Sequence, residues 1–177
     1  MKAADQHLIL STGEKTTLHA LCESGPVALV FLRHFGCIFC REAVAEYREH
    51  PEWNIVFVSM GSVEASEEFR AFMSSPHRFI CDPQAELYAA FGLKRGNSKQ
   101  LFGPAVWKAG AQAWGKGHRV GRPVGDPFQM SGTFILRPGG EVVYEHVDEH
   151  AGDIALAEEV GGILRTHGMP EAPVFRS

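Results

Sequence analysis

The sequence predicts an α/β protein with a central mixed β-sheet flanked by helices. Three observations carry this. Two short apolar runs, Val27–Leu32 and Asn54–Met60, enclose a segment of helical periodicity, the pattern of strand, crossover helix and parallel strand. Nearer the C-terminus, Thr133–Arg137 and Glu141–His146 flank the turn Pro138–Gly139–Gly140, which reads as an antiparallel hairpin. Asp153–His167 then sets Ile154, Leu156, Ala157, Val160, Ile163 and Leu164 on one broad apolar face, as in a helix lying on a sheet. At 177 residues and 45% hydrophobic, the chain is sized for a single domain, 1–177, with its own core.

The elements follow in order. His7–Leu10 and Thr16–Leu18 bracket Ser11–Lys15, which contains Gly13, so an N-terminal β-hairpin is expected. His19–Cys22 reads as one helical turn, closed by Ser24–Gly25–Pro26, with Cys22 a small buried hydrophobe. Val27–Leu32 lacks alternation and suits a strand buried on both faces. It breaks at Arg33–His34–Phe35–Gly36, where Gly36 suits a sharp turn. A helix follows, with Ala43, Val44 and Tyr47 inward, and Pro51 stops it.

Ser62–Ser74 is the next helix, with Ala65, Phe69, Phe72 and Met73 on its core face. Arg78–Cys81 is a short strand. Asp82–Gly92 carries a cap, a proline at the first helical position and a glycine stop, so a helix is expected over that range. Residues 94–127 break the alternation. This Gly- and base-rich insertion contains a helix over Pro104–Trp114, with Trp107, Ala111 and Trp114 on one face. That face suits packing on the body, covering the active site, lining an acceptor groove or a homodimer contact. Gly161–Gly162 weaken the last helix, Gly168 and Pro170 end it, and 169–177 reads as a loose tail.

The chemistry concentrates in Cys37-Ile38-Phe39-Cys40. Cys37 is expected at or just before the first helical turn. There, unpaired backbone N–H groups and the helix dipole favour a thiolate, the reactive form. Cys40, three residues on, falls on the same face, within the roughly 4.4–6.8 Å Cα separation that a disulfide spans. Arg33, His34 and Arg41 add positive charge nearby. The expected chemistry is attack by Cys37 and resolution by Cys40. Two other readings stay open: half of a structural zinc site, and an inert buried pair. Zinc usually wants four ligands, and the remaining cysteines, Cys22 and Cys81, are single and far apart. Cys81 reads as a packed strand residue, with a third redox thiol as its alternative.

Other function classes lack a signature. Net charge is −4 with no basic patch, which argues against nucleic acid. No apolar run reaches the roughly 18 residues of a membrane span. The N-terminal apolar core is too short for a secretory signal, so a cytoplasmic location is expected. No Gly-rich phosphate-binding motif appears.

The stretch Phe31-Leu-Arg-His-Phe-Gly-Cys-Ile-Phe-Cys-Arg-Glu42 resembles the active-site segment of the peroxiredoxin-like 2 (AhpC/TSA, second group) proteins of the thioredoxin superfamily. Asp82–Leu93 and Gly125–Leu136 match the same family more loosely, in the family's order. The resemblance implies a thioredoxin-like fold and a thiol-dependent oxidoreductase, reducing peroxides as an antioxidant and using no cofactor. It also implies a peroxide or disulfide substrate and a thioredoxin-like or glutathione reductant. A disulfide reductase without peroxidase activity, and a non-enzymatic redox sensor or interaction module, are the alternatives.

In thioredoxin-like folds the loop before the last hairpin faces the C-x-x-C, usually with a cis-proline. Here Ser131–Gly132 stands there, and Gln129, Met130 and Ser131 become site candidates by that placement. Ordinary peroxiredoxins resemble P-x-x-x-[TS]-x-x-C. The matching positions here are Val30 and His34, so His34 becomes a candidate for polarising the peroxide or holding the thiolate. Arg33, Arg41 and Arg122 compete for the role of the supporting arginine.

Overall fold

The structure, a computed structural model, describes residues 7–169. The hairpin β1 (His7–Leu10) and β2 (Lys15–Thr17) leads into the short helix α1 (Leu18–Cys22). β3 (Val27–Phe31), α2 (Ile38–Arg48), β4 (Ile55–Ser59), α3 (Val63–Phe72) and β5 (Arg78–Cys81) form the alternating body. α4 (Glu86–Ala90) precedes the insertion, which holds α5 (Ser98–Phe102) and α6 (Pro104–Gly115). β6 (Gly132–Leu136), β7 (Val142–Val147) and α7 (Ala157–Thr166) complete the described chain.

The strands form one mixed seven-stranded sheet in the order β2-β1-β5-β4-β3-β6-β7. β3, β4 and β5 run parallel; β6 is antiparallel to β3 and β7 to β6. β3 is an interior strand, between β4 and β6, and is buried on both faces, as its unbroken apolar run predicts. Ala28 and Val30 join the core under α2 and α7, while Val27, Leu29 and Phe31 join the core on the opposite face. The alternation of a strand's side chains thus fills two cores at once.

Several expected boundaries shift. The helix expected from Asp82 starts at Glu86, because Ala85 sits in the left-handed region at φ +56°. Asp82 still caps it from a distance, accepting the N–H groups of Glu86 (3.0 Å) and Leu87 (2.8 Å). The last helix begins at Ala157, four residues late, with Leu156 exposed. Gly161 there is a packing requirement, since a Cβ on it would meet the Trp53 ring at 2.3 Å. Phe72 is 69% exposed, not part of the core face. It lies at the end of α3, where the Arg41 guanidinium sits over its ring. Met169 is buried in the core, so the expected tail does not begin there. Residues 170–177 of that tail, and residues 1–6 of the N-terminal segment whose apolar core is too short for a secretory signal, lie outside the described residues.

Tyr88 joins the fold to the site. Its buried hydroxyl donates to Leu32 O (2.6 Å) and lies 2.9 Å from Val58 O. This ties together the C-terminal ends of β3 and β4, immediately before Arg33.

Candidate active site

The site lies where β3 ends and α2 begins. A turn closes from Cys37 N to His34 O at 3.0 Å, and Cys37 becomes the N-cap residue of α2. Both thiols are free and buried, Cys37 at 5% exposure and Cys40 at 2%. The first-turn N–H groups of Phe39 and Cys40 point at the Cys37 sulfur, and the Cys40 thiol donates to it. Arg33 adds a full charge, with Nη1 3.6 Å from Cys37 Sγ. Burial opposes ionisation, yet the bond from Cys40 and these donors prevail, and the Cys37 thiol is lowered to about 6. Cys40 moves the other way. Its bond to Cys37 and its burial push its thiol well up, although Arg33 N–H reaches Cys40 Sγ at 3.2 Å. The pair is therefore divided into an ionised sulfur and a protonated one.

Arg33 is itself fixed. Nη2 donates to Pro127 O (2.7 Å) and Nε to Gln129 O (3.3 Å). Gln129 is held in turn by bonds from its amide to Leu93 O, Lys94 O and Met130 O. Thus Gln129 enters the site through its backbone carbonyl. Met130 is buried, with its N–H on Lys94 O. Ser131 Oγ donates to the Asp148 carboxylate.

The other arginines lie elsewhere. Arg41 donates from Nε to Phe35 O at 2.9 Å, and its guanidinium lies under Gly121, where a Cβ would meet Nη2 at 2.0 Å. Arg122 is exposed. His34 is half-buried with Nδ1 unpaired, and burial together with Arg33 and Arg41 lowers its pKa to about 4. It is a neutral imidazole at neutral pH.

Gly36 serves a purpose other than the one its position suggests. Its φ is outside the left-handed region. What it supplies is room, since a Cβ there would meet Gly121 O at 2.2 Å. The return limb of the insertion runs alongside the turn, with Gly121 N–H on Gly36 O (3.0 Å). The insertion is thereby built into the wall of the site.

Residues 98–120 form an apolar groove of about 460 Å³ beside it. Ile38 and Phe39, the two residues after Cys37, form one wall, and Trp107, Trp114, Phe102 and Val120 form the other. Trp107 is 75% exposed and Trp114 55%. The helix packs on the body through Ala113, which is fully buried, while its tryptophans face the groove. Among the described residues, no three His, Cys, Asp or Glu side chains are placed to hold a metal ion. No helix among them is long and apolar enough to cross a membrane.

Asp148 is the site residue that the sequence did not flag. It follows β7, is 4% exposed, and its N–H donates to Ser131 O at 3.2 Å. It lines a small cavity together with Cys40, Ser131 and Thr133. Burial pushes its carboxyl up to about 7, against the opposing bond from Ser131.

The chain is similar to known proteins in sequence and in fold. The family model described as AhpC/TSA antioxidant enzyme matches residues 41–150; the cysteine pair lies just ahead of the matched span. Peroxiredoxin-like 2C of Mus musculus is 27% identical over 162 residues, covering 83% of this chain and 72% of the relative. Prostamide/prostaglandin F synthase of Salmo salar is 29% identical over 174 residues, covering 93% and 87%. Among solved structures, peroxidoxin BcpB of Mycobacterium tuberculosis superposes with TM-score 0.66 at 21% identity, covering 100% of this chain and 99% of that one. Peroxiredoxin Q of Xanthomonas campestris gives 0.64 at 22%, covering 93% and 90%. With a mixed sheet in the thioredoxin-like arrangement and a family match over most of its length, the chain belongs to the AhpC/TSA antioxidant enzymes, peroxiredoxin-like thiol-dependent oxidoreductases.

Proposed function

We propose that this protein reduces peroxides with Cys37 as nucleophile and Cys40 as resolving thiol. The observation that carries the reading is Arg33 Nη1 at 3.6 Å from Cys37 Sγ, at a helix start whose N–H groups already face that sulfur. The thiolate attacks one peroxide oxygen, the O–O bond breaks, and the second oxygen leaves as alcohol or water once protonated. Cys37 is left as a sulfenic acid. Attack by Cys40 then gives the Cys37–Cys40 disulfide and water, and a thioredoxin-like or glutathione thiol resets the pair. Arg33 is positioned to stabilise negative charge at the sulfur and on the departing oxygen.

The groove favours a peroxide with an apolar body. Ile38 and Phe39 continue directly from the nucleophile, and the exposed tryptophans opposite them offer a surface for a hydrocarbon substituent. The relatives named prostamide/prostaglandin F synthase support including lipid peroxides among the substrates.

The test is peroxide consumption by the reduced protein with hydrogen peroxide, cumene hydroperoxide and a fatty-acid hydroperoxide, alongside reduction of insulin disulfides. Cys37→Ser is expected to abolish turnover, and Cys40→Ser to accumulate sulfenic acid on Cys37, detected by mass spectrometry. Insulin reduction without any peroxide consumption would replace this reading with that of a disulfide reductase.

A further inference from the structure

Asp148 is a buried carboxylate with half of its bonding capacity unused. Oδ2 accepts from Ser131 Oγ, and its backbone N–H is anchored on Ser131 O, but buried Oδ1 has no hydrogen-bond partner. Leaving a buried carboxylate oxygen unpaired is costly, and such exceptions call for a reason. Its surroundings supply one. Asp148 and Cys40 line the same internal cavity between β3, β6 and α2, together with Ser131 and Thr133. The cavity is about 10 Å³, on the order of one water molecule. Cys40 is the sulfur in this site that must lose a proton before the disulfide can close, and it is the one whose surroundings keep it protonated.

We propose that Asp148 is the proton acceptor for Cys40 in the resolving step. The Cys40 S–H bond breaks and its proton passes to the Asp148 carboxylate across the shared cavity. The freed electron pair on Cys40 forms the bond to Cys37. The sulfenic S–O bond breaks, and its oxygen leaves with one proton already attached and takes a second to become water. Cys37 is reduced, Cys40 is oxidised, and Asp148 is ready again once it gives up its proton. The inference rests on the peroxidase reading for its leaving group alone, because the same proton must move whatever group Cys37 carries.

The charges around Asp148 suit this role. His146 from β7 lies 3.6 Å from Oδ1, too long for a hydrogen bond, with its Nε2 already against Asp153 O at 3.1 Å. Asp153 and the Cys37 thiolate disfavour the carboxylate, while His146 and Ser131 favour it. Tyr47 from α2 and Tyr144 from β7 also feel its charge. When peroxide converts the Cys37 thiolate into a neutral sulfenic acid, one of the negative charges opposing ionisation disappears. Asp148 is thereby shifted toward its base form at the moment a base is needed.

The experiment uses the chromogenic disulfide DTNB on the fully reduced protein. A first thionitrobenzoate is released when Cys37 forms the mixed disulfide, and a second when Cys40 displaces it, so the second phase reads the Cys40 step without any peroxide. In Asp148→Asn the ratio of second-phase to first-phase rate is expected to fall by about a hundredfold, the low end for a positioned acid–base group. The pH inflection of the second phase near neutrality should also vanish. An unchanged ratio with the inflection retained overturns the proposal. Should Asp148→Asn not fold, Ser131→Ala carries the test. Losing the bond that favours the carboxylate must move the inflection to higher pH, and an unmoved inflection overturns the proposal. Parallel peroxide trapping of Cys37 sulfenic acid reports on the peroxidase reading by itself, so failure of one is distinguishable from failure of the other.

Discussion

Arg33 touches both cysteines by different atoms: its guanidinium Nη1 lies 3.6 Å from Cys37 Sγ, and its backbone N–H lies 3.2 Å from Cys40 Sγ. One residue at the end of β3 therefore senses each sulfur of the pair. Its guanidinium is held in place by Pro127 O and Gln129 O, so the charge is preorganised against the sulfur without having to be recruited.

The first prediction follows from that contact. Cys37 is lowered to about 6, with Arg33 among the causes after the bond from Cys40. Iodoacetamide alkylation of Cys37, followed against pH, should show its inflection near that value. In Arg33→Met the inflection should rise toward the roughly 8.5 of a free thiol, slowing alkylation at pH 7 severalfold. Arg33→Lys should fall between the two. An inflection that does not move in Arg33→Met would remove Arg33 from thiolate stabilisation.

Gly36 gives a second prediction. In Gly36→Ala the new Cβ would overlap Gly121 O, a backbone atom that side-chain repacking cannot move away. The return limb of the insertion must lift off the turn. We expect a loss of about 1–3 kcal/mol in denaturant unfolding, the usual cost of overpacking, and faster tryptic cleavage after Arg119, which is followed by Val120. Cleavage after Arg119 in Gly36→Ala no faster than in wild type would show that the limb is not seated on Gly36.

How much of this was legible beforehand depended on how local each signal was. The β3–α2 unit, Cys37 at a helix start and the closing hairpin all rest on contiguous patterns, and the structure has them where the residues suggested. Helix α5 was not anticipated, because Ser98-Lys-Gln-Leu-Phe102 buries only Leu101 and so shows no period. The start of α4 was misread because Pro83 suits a first helical position, whereas Ala85 takes up a left-handed turn that no propensity announces. Choosing among the arginines needed the carbonyls of 127 and 129, nearly a hundred residues from Arg33. Asp148 was invisible for the same reason. Only the pairing of Gly132 with Val147 brings the residue after β7 over the Ser131 loop.

A third prediction concerns the groove. Trp107 and Trp114 are largely exposed, and neither touches the cysteines, so replacing both by Ser should leave hydrogen peroxide reduction within about twofold of wild type. With a fatty-acid hydroperoxide, the loss of two aromatic walls should raise KM, by about tenfold if each ring contributes some 0.7 kcal/mol, a fraction of full aromatic burial. Equal effects on both peroxides would mean that the groove does not sort substrates.

The last prediction concerns His34 and the acid side of the stability profile. Burial, then Arg33 and Arg41, lower its pKa to about 4, and its Nδ1 has no partner. The folded state therefore holds the imidazole neutral, while the unfolded chain protonates it near the ordinary 6.5. Between those values the unfolded state binds more protons. Stability from this group is thus complete above about 6.5 and is lost as pH falls toward about 4. In His34→Gln, which keeps a polar side chain but cannot titrate, the decline in Tm over that window should be shallower than in wild type. Asp148 contributes in the opposite sense, because its raised carboxyl makes the native state bind more protons up to about 7. Comparing His34→Gln with wild type cancels that term, since both proteins carry Asp148. Parallel Tm curves from pH 7 to pH 4 would mean that His34 gains a proton as readily inside the fold as outside it, and that the two arginines beside it do not hold it neutral.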